Sequence, residues 1–131
     1  LNQSVDELET SLMADPRFGE AIRLFNAGEW YACHDGLEEL WHETAGPLRP
    51  VLQGLLQLAV GQLHLERGNR RGATILTGEG LGRLQRFGAP CLGLDLPDLC
   101  RQARCWLITL QGDGPPEALQ PLRLLARPGH L

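Results

Sequence analysis

At 131 residues and 14.4 kDa the chain is one domain by size, long enough to bury a core without disulfides or a structural metal as staples. Apolar residues make up 43% and charged residues 21%, which excludes a disordered chain. A net charge of −4, with arginine as the only basic side chain besides histidine, argues against a partner held by phosphate charge.

The four cysteines (Cys33, Cys91, Cys100, Cys105) form no C-x-x-C pair and read as reduced, partly buried thiols. Nothing near Leu1 has the basic-then-apolar layout of a signal peptide, so a cytoplasmic protein is expected.

Helical punctuation runs through the chain, and no strand pattern interrupts it. Ser4 and Glu7 have capping-box spacing ahead of Val5, Leu8 and Leu12. Asp15-Pro16 reads as an N-cap with proline at the first helical position, opening a second helix that stops at Gly28. A third is predicted from about Glu29 to Thr44, a fourth from Arg49 to Arg67 and a fifth from Arg70 to Phe87. Asp95-Leu96-Pro97 opens a sixth that ends at Gly112. The segment from 112 to 131 is punctuated by Pro115, Pro116, Pro121 and Pro128, and either lies extended over the bundle or frays; His130 within it is given no role.

The fold class is therefore all-α, a compact antiparallel bundle of five to six helices in one domain spanning 1–131. Gly28-Glu29 with Cys33 and Trp41 echoes Gly68-Asn69 with Ala73 and Leu81, which suggests stacked helix pairs.

Two helices carry the functional information. On the third, Trp30, Cys33, Leu37, Leu40 and Trp41 form the apolar face; His34 falls inside it and Glu38 sits one turn later at its edge. Tyr31 and His42 lie on the same flank, while Asp35, Glu39 and Glu43 point to water. The fourth helix has no charge from Val51 to Leu65, yet is too short to span a bilayer, which marks it as a central buried helix. Gln53, Gln57 and His64 draw a polar stripe along it, and Gly54 and Gly61 beside the stripe allow close approach of another backbone. Gln62 lies on another side and has no place in this pattern.

Folding the two helices at Gly46-Pro47 levels Glu38 with Gln57 and puts His34 between Gly61 and His64. An unpartnered buried amide or imidazole costs about 1–3 kcal/mol, so the stripe is expected to meet the His34/Glu38 edge. No second inward carboxylate is evident. The predicted cluster is His34, Glu38, Gln57 and His64, walled by Trp41 and Gln53.

Three readings of this cluster stay open. It is a structural hydrogen-bond network that fixes helix register, a small-molecule or catalytic pocket in which Glu38 tunes His34 for acid–base work, or a metal site. In the last, His34, Glu38 and His64 would hold a divalent ion (Zn, Mn or Fe) with open positions for water. An enzyme, hydrolytic and metal-assisted, stands against a non-catalytic helical interaction module. Nothing in the sequence signals nucleic acid or membrane; a small molecule, a protein partner or a second copy is left open. Cys33 reads as an inert buried thiol, Arg67, Arg70 and Arg71 as solvated charge, and Gly78, Gly80 and Gly82 as tight packing or a local break.

The stretch from Leu24 to Trp41, with His34-x-x-x-Glu38-x-x-Trp41, resembles the signature of the family called domain of unknown function 309. So does Leu52-Gln53-Gly54-Leu55-Leu56-Gln57, followed by His64 and Arg67-Gly68-Asn69. The resemblance covers about 16–110. Asp35 fits the acidic residue usual after the histidine, whereas Gly36 stands where a larger residue is usual. It implies a small all-α fold and brings no biochemical activity with it.

Overall fold

The computed structural model describes residues 4–127, and four of its six α-helices begin at a side-chain cap: Ser4, Asp15, Asn69 and Asp95. Helix α1 spans Val5–Ala14, with the Ser4 hydroxyl accepting from the Glu7 N–H at 3.2 Å. Helix α2, Pro16–Asn26, starts behind Asp15, whose carboxylate accepts the Arg17 N–H. Then come α3 (Trp30–Glu43), α4 (Arg49–Glu66), α5 (Arg70–Phe87) and α6 (Leu96–Gln111), followed by a short 3-10 turn, Pro116–Ala118. Gly28 and Gly68 take left-handed backbone (φ 75° and 74°) at the α2–α3 and α4–α5 turns, a conformation that side-chain-bearing residues resist. The predicted all-α class holds, and the predicted helix bounds hold to within about one residue. Among the described residues no helix is long and apolar enough to cross a membrane.

Every substantial helix–helix contact joins consecutive helices, from α1 on α2 through α5 on α6. Helix α4 is the centre. Leu52, Leu55, Leu58 and Ala59 are completely buried, and so is Phe25, which meets Trp30 edge-on across the α2–α3 turn at 5.0 Å. On its α5 side, α4 presents glycine. A methyl placed on Gly80 would stand 2.9 Å from the Gly54 carbonyl oxygen, and one on Gly61 would stand 2.9 Å from the Thr77 hydroxyl. The two backbones therefore meet almost directly. Gly78 and Gly82 do not share this role, and α5 runs through all three glycines without a break.

Polar groups tie the remaining pieces down. The Arg70 guanidinium donates to the carbonyls of Leu110, Thr109, Gly112 and Gly114, satisfying orphan acceptors at the end of α6. Arg70 is thus a cap for another helix, not the solvated charge expected. The segment after α6 does lie extended over the bundle. Asn26 on α2 accepts the Leu124 N–H at 2.7 Å and donates to the Leu124 carbonyl at 2.9 Å, as a neighbouring strand would. Gln102 on α6 does the same for Arg123, both at 2.9 Å. Gln62, which had no place in the sequence pattern, accepts the buried Leu122 N–H. Pro128 and His130 lie outside the described residues.

The α2–α3 contact carries an ion network. Arg17 reaches Asp15 at 2.7 Å, Glu39 at 2.9 Å and Glu43 at 2.6 Å. Glu39 and Glu43 are exposed, as their position on the wheel predicts, but they are held by Arg17 and not simply solvated. Hydrogen bonds from Arg17 hold the Asp15 and Glu43 carboxyls below the usual carboxylate range. Depressed carboxyls contribute stability above the ordinary carboxylate range and lose it as pH falls through their lowered values. Arg17→Gln should therefore flatten the acid side of the stability–pH curve, read by urea melts at stepped pH, with the loss from wild type greatest at neutral pH.

The α4–α5 contact makes a sharper prediction. Gly80→Ala should cost about 1–3 kcal/mol, because its methyl meets backbone that cannot yield. Gly82→Ala, with nothing within 4 Å of the new methyl, should stabilise α5 by up to about 1 kcal/mol. Denaturant melts of the two variants should move in opposite directions.

Candidate functional site: a cleft between α3, α4 and α5

The α3 wheel is correctly phased. Trp30, Cys33, Leu37 and Leu40 are buried, Trp41 is half-buried, and Tyr31 and His42 are exposed. The Cys33 thiol donates to the Ala21 carbonyl at 3.3 Å, and burial pushes it up to about 12, so it is inert at neutral pH. His34 lies at the border of the buried face with 26% of its side chain exposed, and Glu38 has 44%. Both face a cleft of about 300 Å³ whose other lining residues are Trp41, Gln53, Leu56, Gln57, Val60 and Leu76. The structure thus brings together His34, Glu38, Trp41, Gln53 and Gln57.

His34 is held at both ring nitrogens. Nε2 stands 2.8 Å from Glu38 Oε2, an i, i+4 pair along one face of α3, and Nδ1 stands 3.2 Å from Asp35 Oδ1. Both contacts are hydrogen bonds only when the ring carries two protons; in the neutral ring, Nε2–H stays on Glu38 and Nδ1 is left as an acceptor. His42 Nε2 lies 3.6 Å from the other Glu38 oxygen and extends this line toward solvent.

His64 does not join them. Asn69 caps α5 through Oδ1, which accepts the Gly72 N–H at 2.9 Å, and this turns its Nδ2 toward His64 Nδ1 at 3.1 Å. A partner five residues away across the α4–α5 turn captures the imidazole, so the predicted trio of His34, Glu38 and His64 is not assembled. Among the described residues, no three His, Cys, Asp or Glu side chains are placed to hold a metal ion.

Gln57 also finds a different partner. Its Nε2 donates to Glu79 Oε2 on α5 at 3.0 Å, not to Glu38. Glu79 is exposed and does not line the cleft, so no second carboxylate faces inward there, as expected; it is a partner for Gln57 that the two-helix pattern does not contain. The signal lay in α5, where Leu76, Glu79, Arg83 and Arg86 follow at helical spacing on the flank of the buried Thr77, Gly80 and Leu84. Among the described residues, Gln57 Oε1 and Trp41 Nε1 are buried and find no partner. The Arg49 guanidinium covers the Trp41 ring at 4.1 Å.

The model of the family described as domain of unknown function 309 matches residues 18–76, from α2 into α5. That stretch carries every residue lining the cleft and is narrower than the 16–110 expected. No curated protein matches the chain.

A half-exposed i, i+4 pair contributes about 0.5 kcal/mol, so Glu38→Ala should lower stability by less than about 1 kcal/mol. Gln57→Met removes an orphaned carbonyl oxygen, whose burial costs about 1–3 kcal/mol, together with one hydrogen bond to an exposed carboxylate. The variant should be at least as stable as wild type in thermal and urea melts.

Proposed function

We propose that the protein binds a small organic molecule in the cleft between α3, α4 and α5, and that His34 exchanges a proton with it. One combination supports this reading: a histidine–carboxylate pair open to water, beside an apolar floor and two buried polar atoms without partners. Leu56, Val60 and Leu76 suit the body of a small ligand. A ligand carrying a donor and an acceptor would complete Gln57 Oε1 and Trp41 Nε1, each after a small side-chain adjustment, and offset the cost of leaving them unpaired.

In this reading Glu38 is the positioning residue. It accepts Nε2–H from His34, which fixes the tautomer and leaves Nδ1 to take a proton once the exposed Asp35 swings aside. The reaction class proposed is hydrolysis: His34 takes a proton from a water that attacks the ligand's acyl carbon, and returns it to the alcohol or amine released as the acyl–oxygen or acyl–nitrogen bond breaks. His64, turned to Asn69, takes no part. The alternative, an interaction module whose cluster is a sealed network, is less well supported because water reaches both His34 and Glu38. Three buried thiols and no disulfide among the four cysteines fit a cytoplasmic setting.

Hydrolysis of 4-nitrophenyl acetate tests the proposal. Wild-type protein should turn the ester over about 100-fold faster than His34→Gln, with KM changed less than about threefold. Val60→Trp, which fills the cleft, should abolish turnover while the fold melts normally. Equal rates for wild type and His34→Gln would remove the proton-transfer role.

A further inference from the structure

The cleft does not end at Gln53. The same side chain also lines a second groove of about 630 Å³ between the start of α4 and the later turns of α5. Arg83 and Arg86 stand in its wall, with Val51 and Phe87 as apolar surface and Gly82 leaving the α5 backbone bare. Among the described residues neither arginine forms an ion pair, a state they share with most of the chain's arginines; what sets them apart is their place in the wall of one groove. Arg83 is half-buried, and the one carboxylate lining this groove, Glu79, makes no direct ion pair with it. Glu79 sits at the junction of the two hollows, and one of its oxygens is already taken by Gln57.

Helix geometry gives the spacing. Arg83 follows Glu79 by four residues and Arg86 by seven, which places them about 6 and 10 Å further along α5. Helices α4 and α5 run antiparallel, so this direction leads from Gln57 past Gln53 toward the start of α4.

We infer that the ligand is two-ended: a hydrogen-bonding head of amide or ester type lies in the His34/Gln57 cleft, and an anionic group about 6–10 Å away is bound by Arg83 and Arg86. The inference rests on the ligand-binding reading above and adds the charge and length of the molecule. Guanidinium forks match carboxylate and phosphate oxygens alike, so the anion is defined by charge and reach.

Adipic acid monoamide and hexanamide are a matched pair of probes, with the same head and chain but with and without the carboxylate. In titrations followed by amide and side-chain NMR, the monoamide should shift the Trp41 indole and Gln57 side-chain signals together with the Gly82 and Arg83 amides. It should bind at least tenfold more tightly than hexanamide. In Arg83→Gln/Arg86→Gln that advantage should disappear while hexanamide binding is unchanged; Arg86→Gln alone should give a partial loss and serves if the double variant does not fold. An advantage that survives the double change, or shifts confined to the arginines, would overturn the two-ended ligand. If neither probe moves the Trp41 or Gln57 signals, the binding reading fails and takes this inference with it. If both move them with equal affinity, only the anionic end is lost.

Discussion

The near contact of the α4 and α5 backbones at Gly54 and Gly80 is the constraint on which the rest of the molecule depends. With no side chain between them, two eighteen-residue helices approach until a single added methyl would strike a carbonyl oxygen. That approach seals one side of α4 against water, which is why a helix with so few polar side chains can sit at the centre of a small protein. It also sets the lever arm of α5. Bringing Gly80 down to Gly54 carries Leu76 and Glu79, on the adjacent flank of α5, up to the edge of the polar stripe on α4.

The cleft is a product of that placement. Helix α3 supplies His34, Glu38 and Trp41, α4 supplies the two glutamines, and α5 closes the end with Leu76. Gln57 is the joint between them: buried, donating to Glu79 on one side and left with an unpaired oxygen on the other. A core selected only for stability would place a methionine there. The unpaired amide costs stability, which is the trade expected if the cleft binds the ligand proposed above.

The helices were legible because local chemistry decides them. Ser4, Asp15, Asn69 and Asp95 cap, glycine ends turns, and the absence of charge from Val51 to Leu65 marks the centre. Part of the cleft's lining was legible as well: the wheels of α3 and α4 bring His34, Glu38, Trp41, Gln53 and Gln57 together, whereas His64 stays out and Leu56, Val60 and Leu76 were not foreseen. The pairing within it was not. A two-helix argument levels Glu38 with Gln57 and finds no other carboxylate, because Glu79 enters from a third helix whose rotation depends on Gly54 and Gly80. His64 was lost to a competitor five residues away, Asn69, whose cap geometry aims the spare amide hydrogens at the imidazole. Gln62 could not be placed for the same kind of reason: its partner is backbone sixty residues later.

The extended segment over the bundle bears on how the protein is made. Asn26, Gln62 and Gln102 offer their amides from α2, α4 and α6, so the surface that receives Leu122, Arg123 and Leu124 does not exist until those three helices are side by side. Each helix, by contrast, can dock on its predecessor as soon as it leaves the ribosome, because the packing joins chain neighbours. Synthesis and packing therefore advance in the same direction. The segment that arrives after all its partners completes the job by bridging helices whose sequence positions lie up to 98 residues away. A vectorial bundle closed by a late clasp exposes little unpaired backbone at any stage.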